Sequence, residues 1–390
     1  MKRTIFDDQH EAFRGMFRAF LRKEVVPEFP KWEEQGYAPR EFYRKLGDIG
    51  VTGFDIPEQY GGAGPTSYRY LMVIGEEAAL AGVSLGNYQA SSGIVLPYLL
   101  MLANEEQRGR WLPLCARGEA VLSVAMTEPG TGSDLAAIRT TATLSPDGGH
   151  YVLNGAKTFI TNASQATHMI VVARTGEPGD DRRGGLTLFV LDTTTPGFEV
   201  GRRLDKIGMK FSDTCEVSFT DVRIPVADVL GDVGEAFRYL GKNLPRERLA
   251  MAAGGCATAA AAIAHANAYT HDRPVFGKPV SSFQNTKFVL AECVADHAAA
   301  QALVDHAVLL EEAGELSAVD AAICKLHCTE MAGRVSDKCL QLHGGYGYIL
   351  EYPIARLYAD TRVSRIYGGT NEVMKTIIAK SLSHQKSSSL

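Results

Sequence analysis

The sequence predicts an α+β multidomain protein with an N-terminal helical domain, a central antiparallel β domain and a C-terminal helical bundle. Three observations carry that prediction. Apolar residues recur at helical spacing from about residue 8 to 118, and short β-branched and aromatic runs replace them from about 121. Helical patterning then returns at Ala236 and lasts almost to the end. At 390 residues the chain exceeds the size at which one hydrophobic core keeps growing, so packed units are expected at 1–120, 121–233 and 234–390.

In the first unit, Asp8 followed by Glu11 resembles a capping box, and Phe13, Met16, Phe17, Phe20 and Leu21 share one helical face. Pro27 and Pro30 end that element. IPEQYGGAGPTS, residues 56–67, reads as a loop, after which helical patterns cover Tyr70–Leu80 and Gly93–Leu102. In the second unit the strand-like runs include YVLNGAKTFITNA, LTLFVLDT and EVSFTDVRIP. Asp147-Gly148-Gly149 marks a hairpin between two such runs. In the third, residues 251–269 contain no Asp, Glu, Lys or Arg, and alanine and glycine dominate them. Those residues transfer weakly into lipid, so a packed interior helix is expected and no integral membrane segment. Across 318–342, Val319, Ile323, Leu326, Val335 and Cys339 fit one buried stripe.

Charge and cysteine usage narrow the function classes. Lys+Arg 40 against Asp+Glu 45 gives a formal charge of -5, which offers no support for a general nucleic-acid binder. Seven dispersed cysteines are an odd number without scaffold density, so reduced thiols in a cytoplasmic setting are expected. The start, MKRTIFDDQHEAF, lacks the apolar run of a signal peptide. Cys324 and Cys328 flank His327 on a helical pattern, and no second ligand pair follows at zinc spacing; no metal is expected.

Several polar, glycine-rich stretches need another explanation. AMTEPGTGSD, residues 125–134, sets Thr127, Glu128, Thr131, Ser133 and Asp134 among glycines at a strand end. That pattern suits a flat polar heterocycle or a phosphate, and equally a tight turn with local hydrogen bonds. KTFITNA adds Phe159, which on its own reads as a core residue. Farther on stand Arg273 in YTHDRPVFGKPVSSFQ, a glycine pair in LHGGYGY and another in RIYGGTNEV. None has the P-loop sequence or follows a parallel strand as a dinucleotide fingerprint does. They point to phosphate and amide contacts from helix ends and loops.

Taken in order, AMTEPGTGSD, NGAKTFITNA, KIGMKFSDTCEVSFTDVRIP, RPVFGKPVSSFQ, CLQLHGGYGY and IYGGTNEV resemble the acyl-CoA dehydrogenase family over essentially the whole chain. The resemblance implies a flavoprotein of three domains and a homotetramer built as a dimer of dimers. It would convert a saturated acyl-CoA to the trans-2-enoyl-CoA and pass electrons to electron transfer flavoprotein. It further implies that Met126, Thr127, Phe159, Ile160 and Thr161 wall the isoalloxazine of FAD and that Ser133 binds its phosphate. Phe159 stands where the family more often has Trp. Arg273, Phe276, Gln284, Gln341, Gly344 and Gly345 would reach the FAD of a neighbouring subunit, and Thr370 and Glu372 that of their own. Ser133, Arg248, Tyr367, Gly368 and Gly369 would line the substrate.

Proton removal beside a thioester needs an oxygen base near Cα and donors aimed at the carbonyl. Many members place a glutamate directly after the tyrosine of the late loop, where this chain has Gly368. A smaller group, including the long-chain and isovaleryl enzymes, takes the glutamate from an earlier helix, and LPRERLAMA resembles that setting. The resemblance therefore makes Glu247 the base and Gly368 a backbone donor, with flavin N5 accepting the Cβ hydride. Glycine at 368 is expected to leave room for Glu247, because two carboxylates in one pocket would repel. A long-chain substrate is expected. The alternatives are a medium-chain, branched or carrier-protein thioester, or a non-catalytic acyl-CoA-binding protein that keeps the fold.

Overall fold

The computed structural model describes residues 3–176 and 181–384. Helices α1 (Asp8–Phe20), α2 (Phe29–Gln35), α3 (Arg40–Asp48), α4 (Arg69–Leu80), the single turn α5 (Gly86–Tyr88), α6 (Leu96–Leu102) and α7 (Glu105–Ala116) form the first unit. The cap of α1 lies one residue earlier than the sequence suggests. The Asp7 carboxylate accepts from the amides of Gln9 and His10, and His10 closes the box. Between α5 and α6 the chain widens into a π-helical stretch, Gln89–Val95, which packs on the first strand.

The middle unit is one sheet of β1 (Leu122–Ala125), β2 (Thr141–Leu144), β3 (His150–Thr161), β4 (His168–Arg174), β5 (Leu186–Asp192), β6 (Phe198–Arg203), β7 (Thr214–Pro225) and β8 (Val229–Leu230). The order is β6-β7-β3-β2-β4-β5-β8, with β1 beside β4. Most neighbours are antiparallel, as the alternating runs predict. The pairing of β1 with β4 is parallel, which no local pattern encodes. The expected hairpin joins β2 to β3. Strand β3 carries a register shift between Lys157 and Ile160 against β7, a bulge of the kind that re-aims a side chain.

Helix α8 (Ala236–Asp272) opens the last unit, followed by the small ribbon β9 (Pro274–Val275) and β10 (Lys278–Pro279). Then come α9 (Gln284–Glu312), α10 (Ala318–Leu342), α11 (Pro353–Thr361) and α12 (Asn371–His384). Helix α8 is long and apolar enough to cross a membrane, but 61% of its most apolar window is buried against protein. It packs on α10, α9 and α4. Its small residues permit that approach: a Cβ at Gly255 would stand 3.0 Å from the Cys328 carbonyl oxygen. The buried stripe of α10 differs from the expected one. Ala321, Cys324, Lys325, Cys328, Met331, Ala332, Val335 and Cys339 face inward, whereas Ile323 is exposed. Close helix packing selects small side chains there and leaves the larger Ile323 outside.

A cluster containing Tyr98, Leu122, Ile138 and Leu240 joins the first unit, the sheet and the start of α8, and Met126 packs against it. The loop after β1 and the first turns of α8 thus share one apolar wall.

Candidate active site

Glu247 lies on α8, only 3% exposed. Its Oε1 accepts the Tyr98 hydroxyl at 2.9 Å and the Asn243 side-chain amide at 3.0 Å. Asn243 is one helical turn earlier, and the same amide nitrogen donates to the Ile94 carbonyl of the π-helical stretch at 3.1 Å. Burial pushes the Glu247 carboxyl above its ordinary range, and Tyr98, Asn243 and Arg248 pull it back only in part. Tyr98 is itself held well above its usual value by burial and by the Glu247 charge, so it remains a donor. Arg246 points elsewhere and pairs with Asp55 and Glu311 at 2.7 and 3.4 Å.

The late loop arrives beside the same stretch of α8, against Arg248 and Met251. Arg248 Nε donates to the Gly368 carbonyl at 3.4 Å. Gly368 and Gly369 have φ of 62° and 88°, conformations that glycine adopts freely. A Cβ at Gly368 would stand 2.3 Å from Met251 Cε and 2.4 Å from its Sδ. The expectation that this glycine makes room for Glu247 is therefore corrected: Met251, one turn farther along α8, uses the space. Tyr367 is half exposed, and Thr370 accepts from the Val373 amide at the start of α12, where Glu372 is exposed.

Beneath the other loop, Glu128 is buried with four donors. The Arg139 and Thr140 amides reach it at 2.8 Å, the Thr140 hydroxyl at 2.6 Å and Lys157 Nζ at 3.0 Å. Burial alone would raise its carboxyl, but the Thr140 hydroxyl, Lys157 and the two amides outweigh burial and hold it below its ordinary value. Lys157 also donates to the Met126 carbonyl at 3.0 Å, and the Thr158 amide to the Thr127 carbonyl at 2.9 Å. The loop is thereby fastened to β3. At the bulge Phe159 takes φ 59° and stands 64% exposed, the reverse of the core placement that its residue type suggests. Ile160, expected beside it on the flavin wall, instead points into the sheet core, while Thr161 is half-buried and Ser133 exposed.

An open aromatic ring on a strained backbone, flanked by the tethered Met126–Thr127 strand end, is a surface that a flat ring system would cover. These residues fit FAD. Arg273, Phe276, Gln284, Gln341, Gly344 and Gly345 form a separate exposed group around α8, α9 and α10. There the Arg273 guanidinium lies 5.3 Å from the centre of the Tyr346 ring, and Phe276 projects at the tip of the β9–β10 ribbon. Among the described residues no hydrogen bond joins this group to the Phe159 wall.

Three profiles of one family match the chain in order: acyl-CoA dehydrogenase N-terminal domain over residues 7–119, middle domain over 123–222 and C-terminal domain over 234–383. The chain belongs to the acyl-CoA dehydrogenase family. It is an FAD-dependent acyl-CoA dehydrogenase, an α,β-dehydrogenating enzyme. The long-chain specific acyl-CoA dehydrogenase of pig mitochondria is 39% identical over 98% of this chain and 89% of its own. Acyl-CoA dehydrogenase of Geobacillus kaustophilus superposes with TM-score 0.93 at 42% identity, covering 97% and 98% of the two chains. The Bacillus anthracis enzyme complexed with FAD gives 0.90 at 29% identity, over 99% of this chain and 71% of that one. The expected cytoplasmic location is overturned by the pig, rat and mouse relatives, all named as mitochondrial. Dispersed cysteines do not distinguish one compartment from another.

Sequence reasoning missed Tyr98, Asn243 and Lys325. Lys325 donates to the Gly369 carbonyl and to Asn371. Asn243 alone had a local signal, four residues before Glu247 on one helix face.

Proposed function

We propose that this acyl-CoA dehydrogenase acts on long-chain acyl-CoA with Glu247 as the base that removes the Cα proton. The observation that carries the assignment is a buried carboxylate with a raised pKa, bonded through one oxygen only, beside a late loop that has glycine at 368. Bound FAD supplies the acceptor for the β-hydrogen and its electron pair. Met126, Thr127, Phe159 and the Thr161 backbone would hold the ring, and Ser133, Thr370 and Glu372 would hold the rest of the cofactor.

Glu247 takes the Cα proton, and the Cα–H electron pair becomes the new Cα–Cβ double bond as Cβ loses hydride. Negative charge grows on the thioester oxygen during that step, and the Gly368 amide is the donor this chain offers to it. Arg248 and Lys325 grip carbonyls of the same loop. The Tyr98 and Asn243 donors fix the carboxylate rotamer and favour its ionised form, against the burial that raises its pKa. The exposed Arg273 group, unused in its own subunit, supports a dimer contact that completes a neighbouring FAD site within a tetramer. Electron transfer flavoprotein is the proposed acceptor.

Anaerobic bleaching of the flavin by straight and branched acyl-CoAs of increasing length tests the substrate. The expected result is a limiting rate that rises toward long straight chains. Fastest bleaching by a short or branched thioester would overturn the long-chain assignment, and none by any thioester would overturn the enzyme.

A further inference from the structure

Lys325 is fully buried in α10, although lysine is among the residues least often found inside without a counter-charge. No salt bridge neutralises it among the described residues. Its Nζ instead donates to the Gly369 carbonyl at 2.9 Å and to the Asn371 side-chain oxygen at 2.8 Å. Asn371 is pinned in turn, since its amide nitrogen donates to Thr329 at 3.2 Å and to Glu330 at 2.8 Å. The preceding carbonyl, that of Gly368, is taken by Arg248 from α8. Two cations from different helices therefore engage two successive carbonyls of a segment whose glycines could otherwise rotate freely.

We infer that Lys325 is a positioning residue for the dehydrogenation. It anchors the Gly368–Gly369 loop from beneath and so fixes the backbone donor presented to the thioester oxygen. The inference rests on the reading that this loop is the carbonyl-binding segment. Because a trans peptide sets its N–H opposite its C=O, holding the carbonyls of 368 and 369 toward α8 and α10 turns the amides of 369 and 370 the other way. The conformation at Gly368 then determines where its own amide points. An apolar side chain would fill the interior of α10 at lower desolvation cost, so the packing of that helix gives no reason for an ammonium.

The charge is conditional. Burial, followed by the nearby Arg248, pushes the Lys325 ammonium down to about 8, against the opposing pull of Glu330 on α10 and Glu372 on α12. Below that pH the anchor is an ammonium. Above it the anchor is a neutral amine with weaker donors.

The test uses the FAD-loaded enzyme with Lys325→Met and Lys325→Arg, read by anaerobic flavin bleaching with a long-chain acyl-CoA. For Lys325→Met the limiting rate should fall about tenfold or more, with half-saturation shifted less than about threefold and FAD content unchanged. In the wild type the limiting rate should decline severalfold as pH rises through about 8. Lys325→Arg, whose cation does not titrate there, should lose that decline. A limiting rate for Lys325→Met within about twofold of wild type would overturn the inference. So would a flat wild-type profile over roughly pH 7 to 9.5, which stays decisive even if Lys325→Met fails to fold. Glu247→Gln run in parallel separates the two claims. If Glu247→Gln is inactive and Lys325→Met is normal, only the anchor fails; if Glu247→Gln bleaches normally, the base assignment fails instead.

Discussion

Glu128, in the loop after β1, and Glu247, on α8, are both buried glutamates, and their surroundings push them in opposite directions. Glu128 has Lys157 and three donors from Arg139 and Thr140, and its carboxyl is held low. Glu247 has two neutral donors on one oxygen and an arginine that contacts the loop, and its carboxyl is held high. The first is a fastener, whose partners favour the ionised form. The second is a carboxylate for which accepting a proton relieves a cost. A buried acid becomes a base where its partners are too few to satisfy its charge, and a rivet where they are sufficient.

Exchanging each for its amide should separate the two most sharply. Glu247→Gln should lower the limiting rate of flavin bleaching by about a thousandfold while keeping the cofactor. Glu128→Gln should leave Lys157 buried without its counter-charge and lose about 3 kcal/mol in denaturant melts, with weakened FAD retention. Their stabilities should also respond to pH with opposite signs. Glu247 has a folded pKa above its unfolded one, so the native state binds more protons in that window and loses stability as pH rises through it. Glu247→Gln should therefore melt higher than wild type near neutral pH, with the difference vanishing in acid. Glu128 has a depressed pKa, so its contribution is present above the unfolded value and is lost as pH falls through the folded one.

A smaller effect probes the donors. Tyr98→Phe removes one hydrogen bond to the ionised Glu247, worth about 1.5–3 kcal/mol for a charged acceptor. The acid limb of kcat/KM should move about one to two pH units upward. A limb that stays put would mean that Tyr98 only packs. The smallest effect is expected at Gly368→Ala, where a non-glycine residue at φ 62° costs about 1–3 kcal/mol and Met251 must swing aside. Adding Met251→Ala should recover part of the lost bleaching rate but not the backbone strain.

The α, β, α order was legible because hydrophobic period changes from 3.6 to 2 and back, a signal contained within each short window. The late glycine pair and the PRER segment were legible through resemblance to a family, and Glu247 followed from the missing side chain at 368. What surrounds Glu247 was not. Tyr98 lies 149 positions away in sequence, and nothing around it distinguishes a core tyrosine from one that holds a carboxylate. The stripe on α10 was misread because hydrophobicity ranks Ile323 above Cys324, whereas close packing against α8 favours the smaller residue. Phe159 was read as core because a positive φ at a bulge, which turns the ring outward, leaves no mark in residue type. Ile160, by contrast, was placed on the flavin wall by resemblance, and strand alternation sends it to the opposite face.

Proton removal by Glu247 can be isolated from hydride loss with a 3-thiaacyl-CoA, whose sulfur replaces the β-carbon and leaves no β-hydrogen to transfer. In D2O under anaerobic conditions, wild type should exchange its α-hydrogens for deuterium and Glu247→Gln should not, with both variants binding the thioester and retaining FAD. Exchange by Glu247→Gln at the wild-type rate would contradict the account.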